Sequence, residues 1–583
     1  VRSFAVPDSS ELPKRLRIRK IQVAAVVLIV ISASLVWYGR QNSLPLPAFM
    51  NRWLHPPRPA LRLPIRFVDV AQQDGLHYQW TIPNPGPHNI LESIGNGCAF
   101  LDYDNDGNLD ILLVGPKLAL YKGDGHGHFT DVSHATGLDT LHGHFLGCAV
   151  GDYDNDGYDD LYISGYQTGL LLHNEQGKRF RDVTKEAGLK PQPFGNTCAF
   201  GNLDGSRYLD LFVCNYVEMI PMNMLRMGDP RAYPALGPIW YHNVDGHRFV
   251  DVTKALGVDI TTGRGLGAAF APVDAEKHVG LAVANDMGLG DLFMRAGAGH
   301  LKNIASESGV AAVPVIKGLN GRMGIDWGDY DNDGLLDLFV TTFHHEPKIL
   351  LHNMGHDVFE DVGSPLSQGI VLDTLAFGCK WLDADNSGWL DLLISNGHID
   401  NSGMHRGPHI PYRQKTLLLY NRHGHGFVEA TQSVGMDKLP PIVGRGLAIG
   451  DYDNDGRVDA LVVDSEGGPL LLHNESQPVG HWLSLQLIGV KCNRDGYGAL
   501  VTVTAGGLTQ TRLCHSDGSY LSASDKRVHV GLANAAAADT VSIHWVSGHT
   551  DTLHNIPADQ VIVVSEGNAH WQKAGHYGSA LSP

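Results

Sequence analysis

One alternation runs through most of the chain: a short apolar run, an acidic turn, and a second apolar run. At 447–449 and 460–463 the apolar runs have the length and composition of strands. Between them, at 451–459, stands Asp-Tyr-Asp-Asn-Asp-Gly-Arg-Val-Asp. An EF-hand would need helical flanks and a bidentate Glu at position 12, where this chain has Val462. The pattern therefore predicts an ion-binding β-hairpin, not a helix–loop–helix.

The stretch recurs. Its intact copies hold Asp102, Asp104, Asp106, Asn108 and Asp110; Asp152, Asp154, Asp156, Tyr158 and Asp160; Asp329, Asp331, Asp333, Leu335 and Asp337; and Asp451, Asp453, Asp455, Arg457 and Asp459. A variant copy has Asp383, Asp385, Ser387, Trp389 and Asp391. Side-chain oxygens at positions 1, 3, 5 and 9 and the backbone carbonyl of position 7 can converge on one hard cation. Glycine at position 6 permits the positive-φ turn around it. Calcium is expected at about five sites, because magnesium prefers fewer protein ligands and keeps more water. A weaker copy, with Asn202, Asp204, Ser206 and Asp210, carries Arg207 in place of the glycine and puts a metal there in doubt. A seventh segment, 271–280, keeps the apolar flanks but has lost the ligands.

Two further signatures run in phase with the acidic loops. Phe-x-Asp-Val or a relative stands at 67–70, 129–132, 180–183, 249–252, 359–362 and 427–430. Leu-Leu-His-Asn or a relative stands at 171–174, 240–243, 350–353, 418–421 and 471–474, where Asn suits a tight turn. Each repeat thus reads as four short strands, and seven repeats predict an all-β, seven-bladed β-propeller over 65–477. Ring closure is open between the segment around Phe67 and the chain near 475. Residues 478–567 alternate as further strands and predict a compact β-sandwich, with a loose polar tail at 568–583.

The amino end differs. A basic block within 1–20 precedes an uncharged apolar run at 21–38, long enough to span a bilayer. This predicts a single transmembrane helix with the bulk of the chain outside the cytoplasm, periplasmic or extracellular; a cleaved signal peptide is the competing reading. The Pro-rich stretch 39–64 reads as a spacer. The net charge of −18 arises largely in the acidic loops, and it argues against nucleic-acid binding. Cys98, Cys148, Cys198 and Cys379 precede the loops at matching places and read as small inner-strand residues; Cys492 and Cys514 could meet across a hairpin.

No H-E-x-x-H, G-x-S-x-G or Walker pattern is present. Gly-Arg-Gly-Leu-Gly-Ala at 263–268 matches a dinucleotide fingerprint on paper. Similar glycines at 444–446 and 95–97 make it the lead-in to an inner strand. No catalytic residue and no organic cofactor is therefore assigned. Two insertions, 218–237 and 396–416, are the candidate binding loops. His344, His398, His405 and His409 are candidates for a transition-metal site, against the default of ordinary loop histidines.

The acidic loops, the Phe-x-Asp-Val-Thr segments and the Leu-Leu-His-Asn turns resemble FG-GAP, integrin-α-type repeats. Asn-Arg-Asp-Gly-Tyr-Gly-Ala at 493–499, Gly-Ser-Tyr-Leu at 518–521 and His-Trp-Val-Ser-Gly at 544–548 resemble the ASPIC/UnbV domain. The pairing is similar to the cartilage-acidic-protein-like family. The resemblance implies a calcium-binding propeller followed by a small β-domain on an exported protein, and no reaction. The expected function is a membrane-anchored protein- or glycan-binding or scaffold module. A subunit of a larger envelope complex, or a hydrolase or lyase using the propeller-face loops, is the alternative.

Overall fold

The computed structural model describes residues 62–80, 89–203, 205–219, 229–258, 263–297, 299–311, 320–403, 409–568 and 570–574. The apolar run 21–38, His405 and the tail after 574 lie outside the described residues. Among the described residues no helix is long and apolar enough to cross a membrane.

Antiparallel sheets follow one another along the chain. The first holds Cys98–Leu101, Asp110–Leu113, Ala119–Gly123 and Phe129–Asp131. The second holds His144–Gly151, Asp160–Asn174 and Phe180–Asp182, the long middle strand serving as two. It merges with the third, Gln192–Gly201, Asp210–Asn215, Ile239–Asn243 and Phe249–Asp251, through the pairs Tyr166–Phe194 and Thr168–Gln192. The fourth holds Gly265–Pro272, Val279–Asn285, Asp291–Arg295 and Leu301–Asn303; the fifth Arg322–Gly328, Asp337–Thr342, Ile349–Asn353 and Phe359–Asp361. The sixth holds Ala376–Leu382, Asp391–Asn396, Leu417–Asn421 and Phe427–Glu429. The last consists of Gly444–Gly450, Asp459–Asp464 and Leu470–Asn474, and is completed by Phe67–Asp69 from the other end of the chain, Phe67 facing Asn474. The early segment therefore completes the last sheet. The first sheet has four strands of its own.

The first strand of each sheet packs on the first strand of the next, and Gly444–Gly450 returns to Cys98–Leu101. Glycines make this approach possible. A Cβ on Gly267 would lie 2.3 Å from the Met323 carbonyl, and one on Gly324 would lie 2.1 Å from that of Phe377. The Gly-x-Gly at 263–265 thus leads into an inner strand, as the sequence pattern predicts. Leu, Ile, Val and aromatic side chains from adjacent sheets fill the spaces between them.

Two four-stranded sheets follow: Val528–Ala533, His481–Ile488, Gln560–Ser565 and Trp571–Lys573; and Leu508–Leu513, Leu500–Ala505, Ala537–His544 and Thr550–Pro557. They share a core that includes Leu483, Leu485, Val501, Val541, Ile543 and Trp545. Cys492 and Cys514 are both free thiols here, so the bridge allowed by the sequence is not formed. The four inner-strand cysteines are buried and free as well.

The segment from Cys514 to Arg527 enters the space enclosed by the inner strands and bonds to every one of them. Ala523 exchanges backbone bonds with Cys98 and Phe100, and the Leu521 carbonyl accepts from Cys148 N. Leu521 N donates to Thr197 Oγ1, and Asp517 Oδ2 accepts from Phe270 N. The Ser519 carbonyl accepts from Ile325 N, Lys380 Nζ donates to the Asp517 carbonyl, and Asp525 N donates to the Ile449 carbonyl. At the apex Ser519 and Leu521 both take φ +58°, a conformation that L-residues adopt at a cost. The ring of bonds to the inner strands over-determines it.

Candidate functional site

The acidic loops all emerge where an inner strand ends, so they share one face. Within each loop the first carboxylate folds the turn. Asp102 accepts from Asp106 N and Gly107 N at 3.0 Å each, and Asp451 accepts from Asp455 N and Gly456 N. The last carboxylate is fixed by the neighbouring hairpin: Asp160 accepts from Asn174 N at 2.7 Å and Asp459 from Asn474 N at 2.7 Å. Carboxylate oxygens of Asp102, Asp104 and Asp110 lie within 4.8 Å of one another.

Every one of these five loops keeps a buried carboxylate oxygen without a hydrogen-bond donor: Asp104 Oδ1, Asp160 Oδ2, Asp329 Oδ1, Asp391 Oδ2 and Asp453 Oδ1. Buried acceptors are nearly always paired, and these oxygens belong to acidic clusters that could hold a metal ion. Burial, helped by neighbouring carboxylates, pushes Asp102, Asp329, Asp383 and Asp459 up to about 7. The same causes raise Asp110, Asp160, Asp391 and Asp451 well above the usual carboxylate range. Asp106, Asp156, Asp333, Ser387 and Asp455 sit at position 5. The carboxylates among them bind the amide of position 7, that of Asn108, Tyr158, Leu335 or Arg457.

Asn202 Nδ2 donates to the Ser206 carbonyl at 2.8 Å, to Ser206 Oγ at 2.7 Å and to the Tyr208 carbonyl at 2.8 Å. An amide nitrogen thus binds these acceptors within the weak copy.

Two recurring positions escaped the sequence reading. The residue before the hairpin Asn stands over the loop. His173 Nδ1 lies 3.2 Å from Asp160 Oδ1, His352 Nδ1 3.0 Å from Asp337 Oδ1, and His473 Nδ1 3.1 Å from Asp459 Oδ1. Hydrogen bonding to their aspartates raises His352 and His473 to about 9. In the first loop Lys122 takes this place and pairs with Asp104 and Asp106. The other position is the Asn at position 4. Asn105 donates to the Gly157 carbonyl, Asn155 to that of Arg207, Asn332 to that of Gly388 and Asn386 to that of Gly456, while Asn454 donates to Asn108 Oδ1. Each clasps the next loop. The hairpin asparagines do more than turn the chain, for Asn174, Asn243, Asn421 and Asn474 reach carbonyls of the preceding repeat.

The C-terminal sheets dock on this face. Arg494 reaches Asp152 at 3.5 Å, Arg512 donates to the Gly388 carbonyl, Arg527 to that of Asp451, and His529 meets Asn386 at 2.8 Å.

The opposite face carries a cavity of about 350 Å³. Its floor and walls come from Leu266, Met323, Leu375 and Phe377, with Tyr520 and Leu521 of the plug in the same apolar cluster. Asp229 and Pro230 of the first insertion and His398, Ile399 and Asp400 of the second line it. Both predicted binding loops thus reach one place. His398 and His344 meet there, Nε2 to Nδ1 at 3.1 Å, and Asp400 N donates to His398 Nδ1. His398 therefore carries its proton on Nε2 and donates to His344. Burial, with His345 and Lys348 nearby, pushes His344 down to about 4, so it is neutral at pH 7. His409 is exposed.

Residues 102–163 and 152–213 match the FG-GAP-like repeat, and residues 489–570 match the family described as ASPIC and UnbV. The chain carries FG-GAP-like repeats and an ASPIC and UnbV domain. It is 23% identical over 483 residues to cartilage acidic protein 1 of Xenopus tropicalis, covering 78% of this chain and 70% of the frog protein. The human protein of the same name is 23% identical over 386 residues, covering 63% of this chain and 52% of its own length. Among solved structures, the BP39L lectin of Burkholderia pseudomallei is similar over 65% of this chain and 95% of its own, at 12% identity and a TM-score of 0.42. YCF48 from Cyanidioschyzon merolae is similar over 68% and 99%, at 10% identity and a TM-score of 0.37.

Proposed function

We propose that the ring of sheets is a seven-bladed, calcium-loaded β-propeller that serves as an exported binding module, held at a membrane by the apolar run 21–38. Asp102, Asp104, Asp106 and Asp110, and their counterparts in the other four loops, would hold the ions. Bound calcium would supply the positive charge that five orphaned carboxylate oxygens lack, and its role is to stiffen the loops on which the ASPIC and UnbV domain rests. The domain boundaries at 65–477 and 478–567 are part of this reading.

One observation carries the binding role. The C-terminal plug fills the channel from the loop face, which leaves the opposite face with an apolar cavity flanked by both insertions. A protein or glycan ligand would be held there, at the end away from the calcium loops. The His344–His398 pair is the feature favouring a hydrolase or lyase.

The test is capture from membrane extract, scoring protein and glycan partners, with the wild type and with Ile399→Trp, which fills the rim of the cavity. Capture by the wild type and loss in the variant is the expected result. Equal capture by both would move the binding site elsewhere, and measurable turnover on glycan substrates would favour the enzyme.

A further inference from the structure

The cavity combines an apolar body with one sign of charge. Its described lining includes Asp229, Asp286, Glu346 and Asp400 and no lysine or arginine. Asp229 is paired with Arg231 at the surface. Asp286 and Glu346 are not paired in this way. Asp286 is 8% exposed and takes the Tyr216 hydroxyl at 2.5 Å; the Glu346 carboxylate accepts from the backbone N–H of Gly321 at 3.0 Å.

The cations nearby are committed elsewhere. Arg264 donates to the carbonyls of Pro230 and Tyr233. The Lys348 ammonium is buried among the carbonyls of Thr342, Phe343 and Thr374. Arg445 lies 3.9 Å over one face of Phe377 and donates to the Ser93 and Gly397 carbonyls. Arg264 thus acts on Asp286, and Lys348 and Arg322 on Glu346, only at a distance; among the described residues no lysine or arginine forms an ion pair with either carboxylate, and buried carboxylates are costly unless paired. Aromatic rings of Tyr216, Phe343 and Phe377 line the same space, and ring faces attract organic cations.

We propose that this cavity binds a small organic cation, a free amine carried on an apolar or aromatic body. The inference rests on the binding reading above and names the ligand's chemistry. The volume, about 350 Å³, falls at the lower end of small-molecule pockets. The apolar part would pack on Leu266, Met323 and Leu375, and the ammonium would sit between Asp286 and Glu346. Burial pushes Asp286 up to about 6 and Glu346 up to about 7, so the ligand's charge would also hold both in their ionised forms.

Calorimetric titration of the full, calcium-loaded chain with 2-phenylethylamine, 2-phenylethanol and phenylacetate tests it. The amine should bind at least about tenfold more tightly than the alcohol, the scale of one charge-assisted hydrogen bond, and the acid most weakly. Asp286→Asn and Glu346→Gln should each reduce that preference; two variants are used so that a folding defect in one does not decide the matter. Equal binding of amine and alcohol to the wild type would overturn the charge inference while leaving an apolar binding cavity. Failure of all three to bind, with partner capture still blocked by Ile399→Trp, would overturn it while leaving the face as a macromolecular site.

Discussion

The phenol of Tyr520, carried by the C-terminal unit, donates to the carbonyl of Ile94 at 3.1 Å, at the end of the channel far from the acidic loops. The plug therefore spans the ring and is part of its core. Unfolding should be a single calorimetric transition, not one per unit. Tyr520→Phe should cost about 1–2 kcal/mol, because the Ile94 carbonyl loses its donor. Tyr520→Ala should cost about 3–5 kcal/mol, as for other large buried aromatics. Both should lower the whole transition. Two separated transitions, with only one shifted by Tyr520→Ala, would show that the plug does not couple the units.

Without metal, stability should fall as pH rises. Asp102, Asp329, Asp383 and Asp459 are raised by burial to about 7, so the folded chain holds protons that the unfolded chain releases near the ordinary value of 3.8. Folding is then progressively disfavoured from about pH 4 to pH 7. His352 and His473, raised to about 9 by their aspartates, act in the same direction: their stabilisation is complete below about 6.5 and is lost as pH rises through about 9. In chelator, the melting temperature should decline between pH 5 and pH 8. Calcium binds the ionised form and should remove the decline. A metal-free melting temperature that climbs over this range would contradict the assignment of the loops.

The clasp between adjacent loops should be costly to break. Asn386 is 1% exposed, sits at φ +56°, donates to the carbonyls of Gly456 and Gly480, and meets His529. Asn386→Ala orphans those groups, at about 1–3 kcal/mol, and adds roughly 1 kcal/mol of left-handed strain. Asn386→Gly should recover the strain but not the bonds. Urea unfolding of the pair separates the two contributions; equal stability of Ala and Gly variants would mean that strain contributes nothing.

The repeat architecture was legible because it is local. Acidic loops, Phe-x-Asp-Val strands and Leu-Leu-x-Asn strands each carry a sequence pattern, and Phe129–Asp131, Phe180–Asp182 and Phe249–Asp251 all form the outer strand of their sheets. The glycine lead-ins were legible for the same reason. The plug was not. Its bonds to the inner strands are mostly made by backbone groups, so the Gly-Ser-Tyr-Leu motif at 518–521 does not reveal that the segment enters the ring. Closure by Phe67–Asp69 was equally hidden, since its partner lies some 400 residues away and nothing local distinguishes an outer strand of the first sheet from one of the last. Of the metal loops, the carboxylates could be read from spacing. The residues at 122, 173, 352 and 473 could not be assigned to them, because the link depends on which face of the third strand meets the loop.

That last relationship separates the first loop from the rest. Lys122 places an ammonium on Asp104 and Asp106, where the loops at 152–160, 329–337 and 451–459 meet a histidine. A metal entering the first loop must displace a charge that Lys122 cannot shed, whereas His352 and His473, raised to about 9 by their aspartates, can release the proton when a cation takes over the aspartate. Lys122→Gln should therefore tighten calcium binding at one site by roughly tenfold, the scale of a screened contact between half-exposed charges. Calorimetric titration should show this as an added or strengthened event, and His173→Gln should produce none. The same substitution should lower stability in chelator, since the first loop then loses its internal counter-ion. A titration unchanged by Lys122→Gln, with unchanged stability in chelator, would mean that the ammonium leaves the carboxylates at no cost and that all five loops are equivalent.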